Sequence, residues 1–293
     1  MATLEALRRR IDTTESLRSI VRTMKSLSAV SVRQYDQAAD ALASYARAVE
    51  LGLRVVLRDR PSRPEPTRRE TGATGAVVFG SDHGLCGGFN DAVAAFARAS
   101  VERLGVPREA RAWLAAGARA AARLEGFGER IERRLVLPGT AAGLSALVDE
   151  ILLAVEAWQG RGVSRVLLVH NRRGRGGAAS PHLAPLLPVD LRRFQRLAGE
   201  PWPSRTRPTY TMDADRLLAA LVRQHLFVSI FRAAAESLAA EHAARLSAMQ
   251  AAERNIEERL EALTAESRRV RQDTITAELL DLVSGFEASR EPE

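Results

Sequence analysis

Cys86 stands in the most unusual stretch of the chain, Gly80-Ser-Asp-His-Gly-Leu-Cys-Gly-Gly88, with His83 three residues before it. A thiol beside an imidazole could form a nucleophile–base pair. Three residues apart in one loop is poor geometry for that, and a small buried or turn cysteine competes with it. The same stretch follows the apolar run Ala76-Val-Val-Phe79 and precedes a helical pattern from Phe89, where phosphate-binding loops sit. It is not G-x-G-x-x-G, and no Lys-Ser/Thr follows it. The Lys25-Ser26 pair lies in mid-helix without glycines before it, which excludes a P-loop. His170-Asn-Arg-Arg-Gly-Arg-Gly-Gly177 could hold phosphate or RNA by electrostatics, or be a solvated loop. No His, Cys, Asp or Glu cluster has metal-ligand spacing, and no Ser-His-Asp arrangement is legible. Nothing calls for a cofactor.

The elements that must position these residues fall into three segments. From Leu4 to about Arg58 there is no proline and a single glycine, Gly52. Leu17, Val21, Met24, Ser28, Ser31, Tyr35, Ala38, Leu42, Tyr45 and Val49 recur every three or four residues. That spacing keeps one seam on a partner helix in a left-handed supercoil. Ser28 and Ser31 stand where a strong zipper would have leucine, which suits a helix that slides or turns against several partners. Pro61-Ser-Arg-Pro-Glu-Pro66 cannot continue a helix.

The pattern then changes. Strands are expected at Ala76–Phe79, Arg111–Ala115, Leu135–Leu137 and Val163–His170. Helices are expected at Phe89–Leu104, Ala118–Leu124 and Leu144–Trp158. Alternating strands and helices imply an open, largely parallel sheet. His170–Ala179 reads as a Gly/Arg loop and Pro181–Pro208 as a proline-studded connection. From Asp213 to about Ala288 there is again no proline, and Leu246, Met249, Ile256, Leu260, Leu263 and Val270 form a second heptad seam. The fold class expected is α plus α/β. The terminal helices form a long antiparallel coiled coil beside an open, Rossmann-like α/β domain. The divisions are 1–60 (first helix), 61–74 (linker), 75–209 (α/β domain) and 210–288 (last helix).

Composition narrows the field without choosing. The net charge is +7, and Lys25 is the single lysine among 43 Lys and Arg residues. A basic balance permits nucleic acid, anionic membrane or acidic protein partners. Acids are interleaved among the arginines, whereas a nucleic-acid reader concentrates its basic face. One cysteine rules out an internal disulfide. No run of ~18 apolar residues is evident. The N-terminus lacks a signal core and reads as mature protein.

Three stretches resemble the gamma subunit of F-type ATP synthases, over nearly the whole chain. Ser81-Asp-His-Gly-Leu-Cys-Gly-Gly-Phe-Asn90 is similar to the family's Ser-Asp-(Arg/Lys)-Gly-Leu-Cys-Gly-Gly loop with its following Asn. Arg271-Gln-Asp-Thr-Ile-Thr-Ala-Glu-Leu279, with Gly285 after it, is similar to the C-terminal Arg-Gln-x-x-Ile-Thr-x-Glu-Leu signature. Upstream, Ser237, Glu241, Arg245, Met249 and Asn255 match family positions. Arg8-Arg-Arg-Ile11 with Met24-Lys25 is the third stretch. His83 in place of a basic residue, Arg268 in place of the common Asn, and the altered first helix mark a divergent branch.

The resemblance implies a rotor shaft that couples ion flow to ATP synthesis or hydrolysis and does no chemistry itself. Its implied partners are the alpha and beta subunits of the catalytic F1 hexamer, the epsilon subunit and the membrane c-ring. It implies neither nucleic acid nor a direct small-molecule substrate. The implied location is peripheral, on the cytoplasmic face of a bacterial inner membrane. The implied partner contacts are Met24, Lys25, Asp82, His83, Leu85, Cys86, Arg271, Gln272, Thr276 and Glu278. For Arg271 and Gln272 the competing reading is a solvated helix face; for the loop it is a simple tight turn. Two other classes compete for the whole chain. A free-standing coiled-coil scaffold or nucleic-acid-binding protein with an α/β head would explain length, charge and heptads. It leaves the two signature stretches unexplained. A nucleotide-dependent enzyme lacks a complete motif.

Overall fold

In the computed structural model, residues 3–59, 72–174, 178–202, 204–206 and 208–288 are described. The expected linker lies mostly outside them, as does part of the Arg/Gly run. The elements are α1 (Leu4–Arg58), β1 (Ala73–Phe79), α2 (Phe89–Arg103), β2 (Arg111–Ala116), α3 (Ala118–Gly126), β3 (Ile131–Leu135), α4 (Leu144–Gly160), β4 (Val163–Arg173), β5 (Ala179–Leu187), α5 (Leu191–Ala198) and α6 (Ala214–Ala288). The chain divides into two compact units. One takes α1 up to Leu27 with α6 from Leu246 onward; the other takes Ser28–Arg245.

The second unit holds a five-stranded sheet in the order β3-β2-β1-β4-β5. β1 pairs in parallel with β2 and β4, and β2 in parallel with β3. Six of the seven β1 residues are buried, the near-continuous apolar run of a strand covered on both faces. Side chains alternate between the faces. Val77, Phe79, Leu114 and Leu168 pack with Leu147, Ile151 and Val155 of α4, and with Tyr35, Ile230, Ala234 and Leu238 of α1 and α6. Ala76, Val78, Trp113 and Val169 face α2 and α3.

Two expectations about the sheet are corrected. The strand expected at Leu135–Leu137 is Ile131–Leu135, whose Glu132, Arg133 and Arg134 are exposed. An edge strand tolerates such charge, and charge blunts its open edge. The expected Gly/Arg loop and proline-studded connection hold the end of β4, all of β5 and α5. β5 is antiparallel and pairs with β4 alone, placing Pro181 opposite Asn171 and Pro185 opposite Leu167. Proline is admitted there because an edge strand has a free N–H side.

The seam expected along α1 holds except at Leu17 and Tyr45, and Val21, Met24, Ser31, Ala38 and Leu42 on it are partly buried. Leu17 is 49% exposed and Tyr45 43%, whereas Leu7, Ser28, Tyr35, Ala46, Val49 and Leu53 are buried. Tyr45 lies on the rim, its hydroxyl donating to Gln224 Oε1 at 2.7 Å. The neighbouring Ala46 takes the buried position instead. In α6, Met249, Leu260 and Leu263 are buried as expected. In the first unit, Arg22 reaches Glu253 (2.9 Å) and Glu257 (3.4 Å), and Lys25 reaches Glu253 at 2.5 Å. Earlier residues of α1 meet later residues of α6, so the two helices run antiparallel. α6 also contains an 18-residue window of mean hydropathy 1.4, apolar enough by composition to cross a membrane. That feature did not stand out in the sequence because arginines interrupt it. Leu218, Leu221 and Val222 pack with Leu53, Leu57 and Phe194, and Ile230 lies in the sheet's core.

Candidate partner-contact site

The signature loop leaves the C-terminal end of β1 and is built from its own polar atoms. Asn90, at the start of α2, accepts from the Ser81 N–H at 2.9 Å and donates to Ser81 Oγ at 2.8 Å. Ser81 Oγ donates to the His83 carbonyl at 2.7 Å. Asp82 ties the loop to two neighbouring elements. Its Oδ1 accepts from Ala118 N–H at the start of α3 (2.9 Å), and its Oδ2 from Leu137 N–H (2.7 Å). An anion at a helix N-terminus is favoured by the exposed N–H groups and the dipole. Gly117 must be glycine: its φ is +110°, and a Cβ would lie 2.7 Å from Ser81 N.

What the loop presents outward is narrower than its sequence suggests. Cys86 is 3% exposed and packs with Phe89 and Ala240; its sulfur lies 3.5 Å from Asn90 Nδ2. The Asp82 carboxylate is bonded internally. His83 is exposed, and Leu85 is 60% exposed with a φ of +64°. A left-handed leucine costs about 1–2 kcal/mol, and such strain persists only where the surroundings impose it.

The surroundings are on α6. Arg245 donates from Nε to the Gly84 carbonyl (3.3 Å) and from Nη2 to the His83 carbonyl (3.3 Å), and pairs with Glu241 Oε1 at 2.6 Å. Both side chains are more than nine-tenths buried. Burial pushes Glu241 up to about 7 despite the attraction of Arg245. Its other oxygen, Oε2, is buried without a partner. His242 stacks on Tyr35 with centroids 5.6 Å apart and lies 3.3 Å from Arg245. Burial, then the guanidinium, brings His242 down to about 4. Tyr35 is raised to about 12 by burial and by Glu241, and its hydroxyl donates to the Pro138 carbonyl at 2.8 Å.

Arg245 and Glu241 were not singled out as site residues from the sequence, since 161 positions separate Arg245 from Gly84. Two signals exist in the sequence: Glu241 and Arg245 match family positions, and with Glu236 they are charges on an Ala-rich face of α6 that is otherwise buried. The strand order reverses between β1 and β4, the point at which open α/β sheets hold their ligands. Here α6 fills that crevice. Ser237 Oγ donates to the Phe79 carbonyl at 3.4 Å, and Glu236 meets His170 Nε2 at 2.9 Å and Arg172 Nε at 2.6 Å. Burial acts to raise Glu236, but the hydrogen bonds from His170 and Arg172 outweigh it and hold it below the usual carboxylate range. No group of His, Cys, Asp and Glu suited to a metal exists among the described residues.

The remaining expected residues lie in the other unit. Met24 is half-buried, and Lys25 is engaged by Glu253. Hydrogen bonds from Lys25 and Arg22 hold Glu253 below the usual carboxylate range. Arg271, Gln272, Thr276 and Glu278 are all exposed, as is every residue from 271 to 284. With them stand Ile275, Leu279, Leu280, Leu282 and Val283, from 46% to 70% exposed. So the structure joins Asp82, His83, Leu85 and Cys86 in one loop, and groups Arg271–Glu278 on one helix end.

Comparison with known proteins agrees along the whole chain. The family pattern described as "ATP synthase" matches residues 3–288. The "ATP synthase gamma chain" of Granulibacter bethesdensis is 32% identical over 98% of this chain and 100% of that protein. The protein of the same name from Geotalea daltonii is 30% identical over 98% and 99%. Among solved structures, a chain of the Euglena gracilis mitochondrial ATP synthase, in a structure of its OSCP/F1/c-ring, has a TM-score of 0.66 at 17% identity. That match covers 98% of this chain and 94% of that one, a likeness of fold. With full-length matches at these identities, the chain belongs to the family of ATP synthase gamma chains.

Proposed function

We propose that this chain is the central rotor shaft of an F-type ATP synthase and is itself non-catalytic. The observation that carries the reading is the full-length match to gamma chains. It is supported by an α/β unit whose ligand crevice is filled by the chain's own α6. The contact elements are Leu85 and His83 at the loop, Met24 and Lys25 on α1, and Arg271, Gln272, Thr276 and Glu278 on α6. Asp82 and Cys86 serve the loop from within. The partners are the alpha and beta subunits, which carry the nucleotide sites, with the epsilon subunit and the c-ring at the membrane. The complex sits on the cytoplasmic face of a bacterial inner membrane.

The mechanism is one of differential contact. An asymmetric shaft presents a different face to each surrounding site as it turns, and each site's nucleotide affinity follows the contact it makes. A basic shaft suits acidic loops, and Arg271 can hold a carboxylate through two parallel bonds. The division into a first helix (1–60), linker (61–74), α/β domain (75–209) and last helix (210–288) follows the same logic of shaft and base.

The test is a tagged pull-down from detergent-solubilised native membranes at near-physiological salt, with partners identified by mass spectrometry. Two homologous nucleotide-binding subunits in excess over this chain are expected. Recovery of the chain alone, or with nucleic acid, would reject the rotor and favour a scaffold.

A further inference from the structure

A cleft of about 340 Å³ opens between β4, β5, α1, α5 and α6, away from the signature loop. Its volume falls at the lower end of the range for small-ligand sites. The floor is apolar: Val49, Leu168, Leu186, Phe194 and Val228 line it and are all buried. The rim is polar, with Arg172, Arg193 and Arg232 against Glu50 and Asp190.

The rim charges are not equally committed. Arg172 is bonded to Glu236 at 2.6 Å, and Arg193 faces Glu50 at 3.5 Å. Asp190 accepts from the backbone N–H of Arg193 at 3.1 Å. Arg232 is exposed, has neither ion pair nor hydrogen bond among the described residues, and is the uncommitted guanidinium of the rim. The His225 ring meets Phe194 edge-on at 5.1 Å, and its nitrogens have no hydrogen-bond partner among the described residues. His170, 1% exposed, lines the same cleft, and its Nδ1 is buried without a partner. Buried polar groups are ordinarily bonded, so the orphaned His170 nitrogen calls for an explanation, and Arg232 and His225 leave further uncommitted donors around the same apolar cavity.

We propose that this cleft is a binding site for a small amphipathic carboxylate. Its apolar body lies on Leu168, Leu186 and Phe194, and its carboxylate is held by Arg232 with His225 alongside. A guanidinium matches a carboxylate in plane and spacing. One uncommitted guanidinium suits a single negative charge better than the nearly two of a phosphate group. Burial keeps His225 below its ordinary range, so near neutral pH the ring adds a polar contact rather than charge. The space is too small for a peptide helix, whose diameter is about 10–12 Å with side chains. The proposal rests on the cleft alone and does not depend on the rotor reading.

The experiment titrates the full chain with sodium octanoate by calorimetry, with octanol and octylammonium as controls. One-to-one saturable binding is expected, with a Kd at or below about 1 mM. The alcohol and the ammonium should bind at least ~10-fold more weakly. Arg232→Gln, at an exposed position, should weaken octanoate binding about tenfold, or about 1.4 kcal/mol. His225→Phe, which keeps the edge-on ring contact, should weaken it by a smaller factor. No saturation in the wild-type chain, equal binding of octanol, or unchanged affinity in Arg232→Gln would each overturn the proposal. Circular dichroism of each variant separates loss of the site from loss of the fold.

Discussion

The signature loop and the exposed end of α6 carry the two most distinctive stretches of the chain, and the protein uses them in opposite ways. In the loop, Ser81, Asp82, Cys86 and Asn90 spend their polar atoms on one another and on neighbouring elements. Arg245 fixes the carbonyls from behind. Little is left facing outward besides His83 and Leu85. From 271 to 284 every side chain is exposed. Distinctive residues in one region build a strained platform; in the other they form an open surface. Substitutions should therefore divide into those that unfold the platform and those that leave the fold intact and weaken partner capture.

The largest contrast is between two arginines. Arg245→Ala strands Glu241 and two loop carbonyls in a buried site, and should cost about 3–5 kcal/mol in urea unfolding. Arg271→Ala should change stability by less than about 0.5 kcal/mol, yet reduce recovery of the nucleotide-binding subunits in the membrane pull-down. Equal stability losses would erase the distinction.

Next in size is a pair of opposed pH dependences within the platform. Glu241 is raised from 4.5 to about 7, so its contribution is fully present below pH 4.5 and lost as pH rises through 7. His242 is lowered from 6.5 to about 4, so its contribution is present above pH 6.5 and lost as pH falls toward 4. Each is worth on the order of 3 kcal/mol at 1.36 kcal/mol per pKa unit. Between pH 4.5 and 6.5 they oppose each other, and the wild-type stability curve should be nearly flat there. Glu241→Gln should unmask stability that rises with pH in that window. His242→Phe, which preserves the stack on Tyr35, should unmask stability that falls. Thermal unfolding from pH 4 to 8 reads both; parallel curves for the three proteins would dismiss the linkage.

Asp82→Asn should cost about 1–2 kcal/mol, because an amide can accept only one of the bonds from Ala118 and Leu137. The smallest effect has the opposite sign. Leu85→Gly relieves the left-handed strain and should stabilise the chain by up to about 1 kcal/mol, while lowering partner capture. A loss of stability there would mean that Leu85 is held by packing rather than presented for contact.

Much of the fold was legible because it follows from local periodicity. The bounds of α1 are those expected from a proline-free run, and α6 begins within a residue of expectation. The two central strands, β1 and β4, announce themselves as short apolar runs, Ala76-Val-Val-Phe79 and Val166-Leu-Leu-Val169. β5 did not, because Pro181 and Pro185 break a central strand but not an edge strand. The α1 seam is legible except at Leu17 and Tyr45, because periodicity places an apolar residue on a stripe without saying whether a partner covers it there.

By itself, then, the sequence determined the two long helices, the alternation that builds a parallel sheet, and family membership through the Asp-His-Gly-Leu-Cys-Gly-Gly and Arg-Gln-x-x-Ile-Thr-x-Glu-Leu stretches. Only the tertiary structure decided that Cys86 is buried and Leu85 presented, and that Arg245 holds a loop 161 positions away. It alone placed α6 in the crevice where a nucleotide would otherwise sit. Periodicity is a property of neighbours along the chain. Desolvation and hydrogen-bond completion depend on groups that are distant in sequence, and those set which residues face a partner.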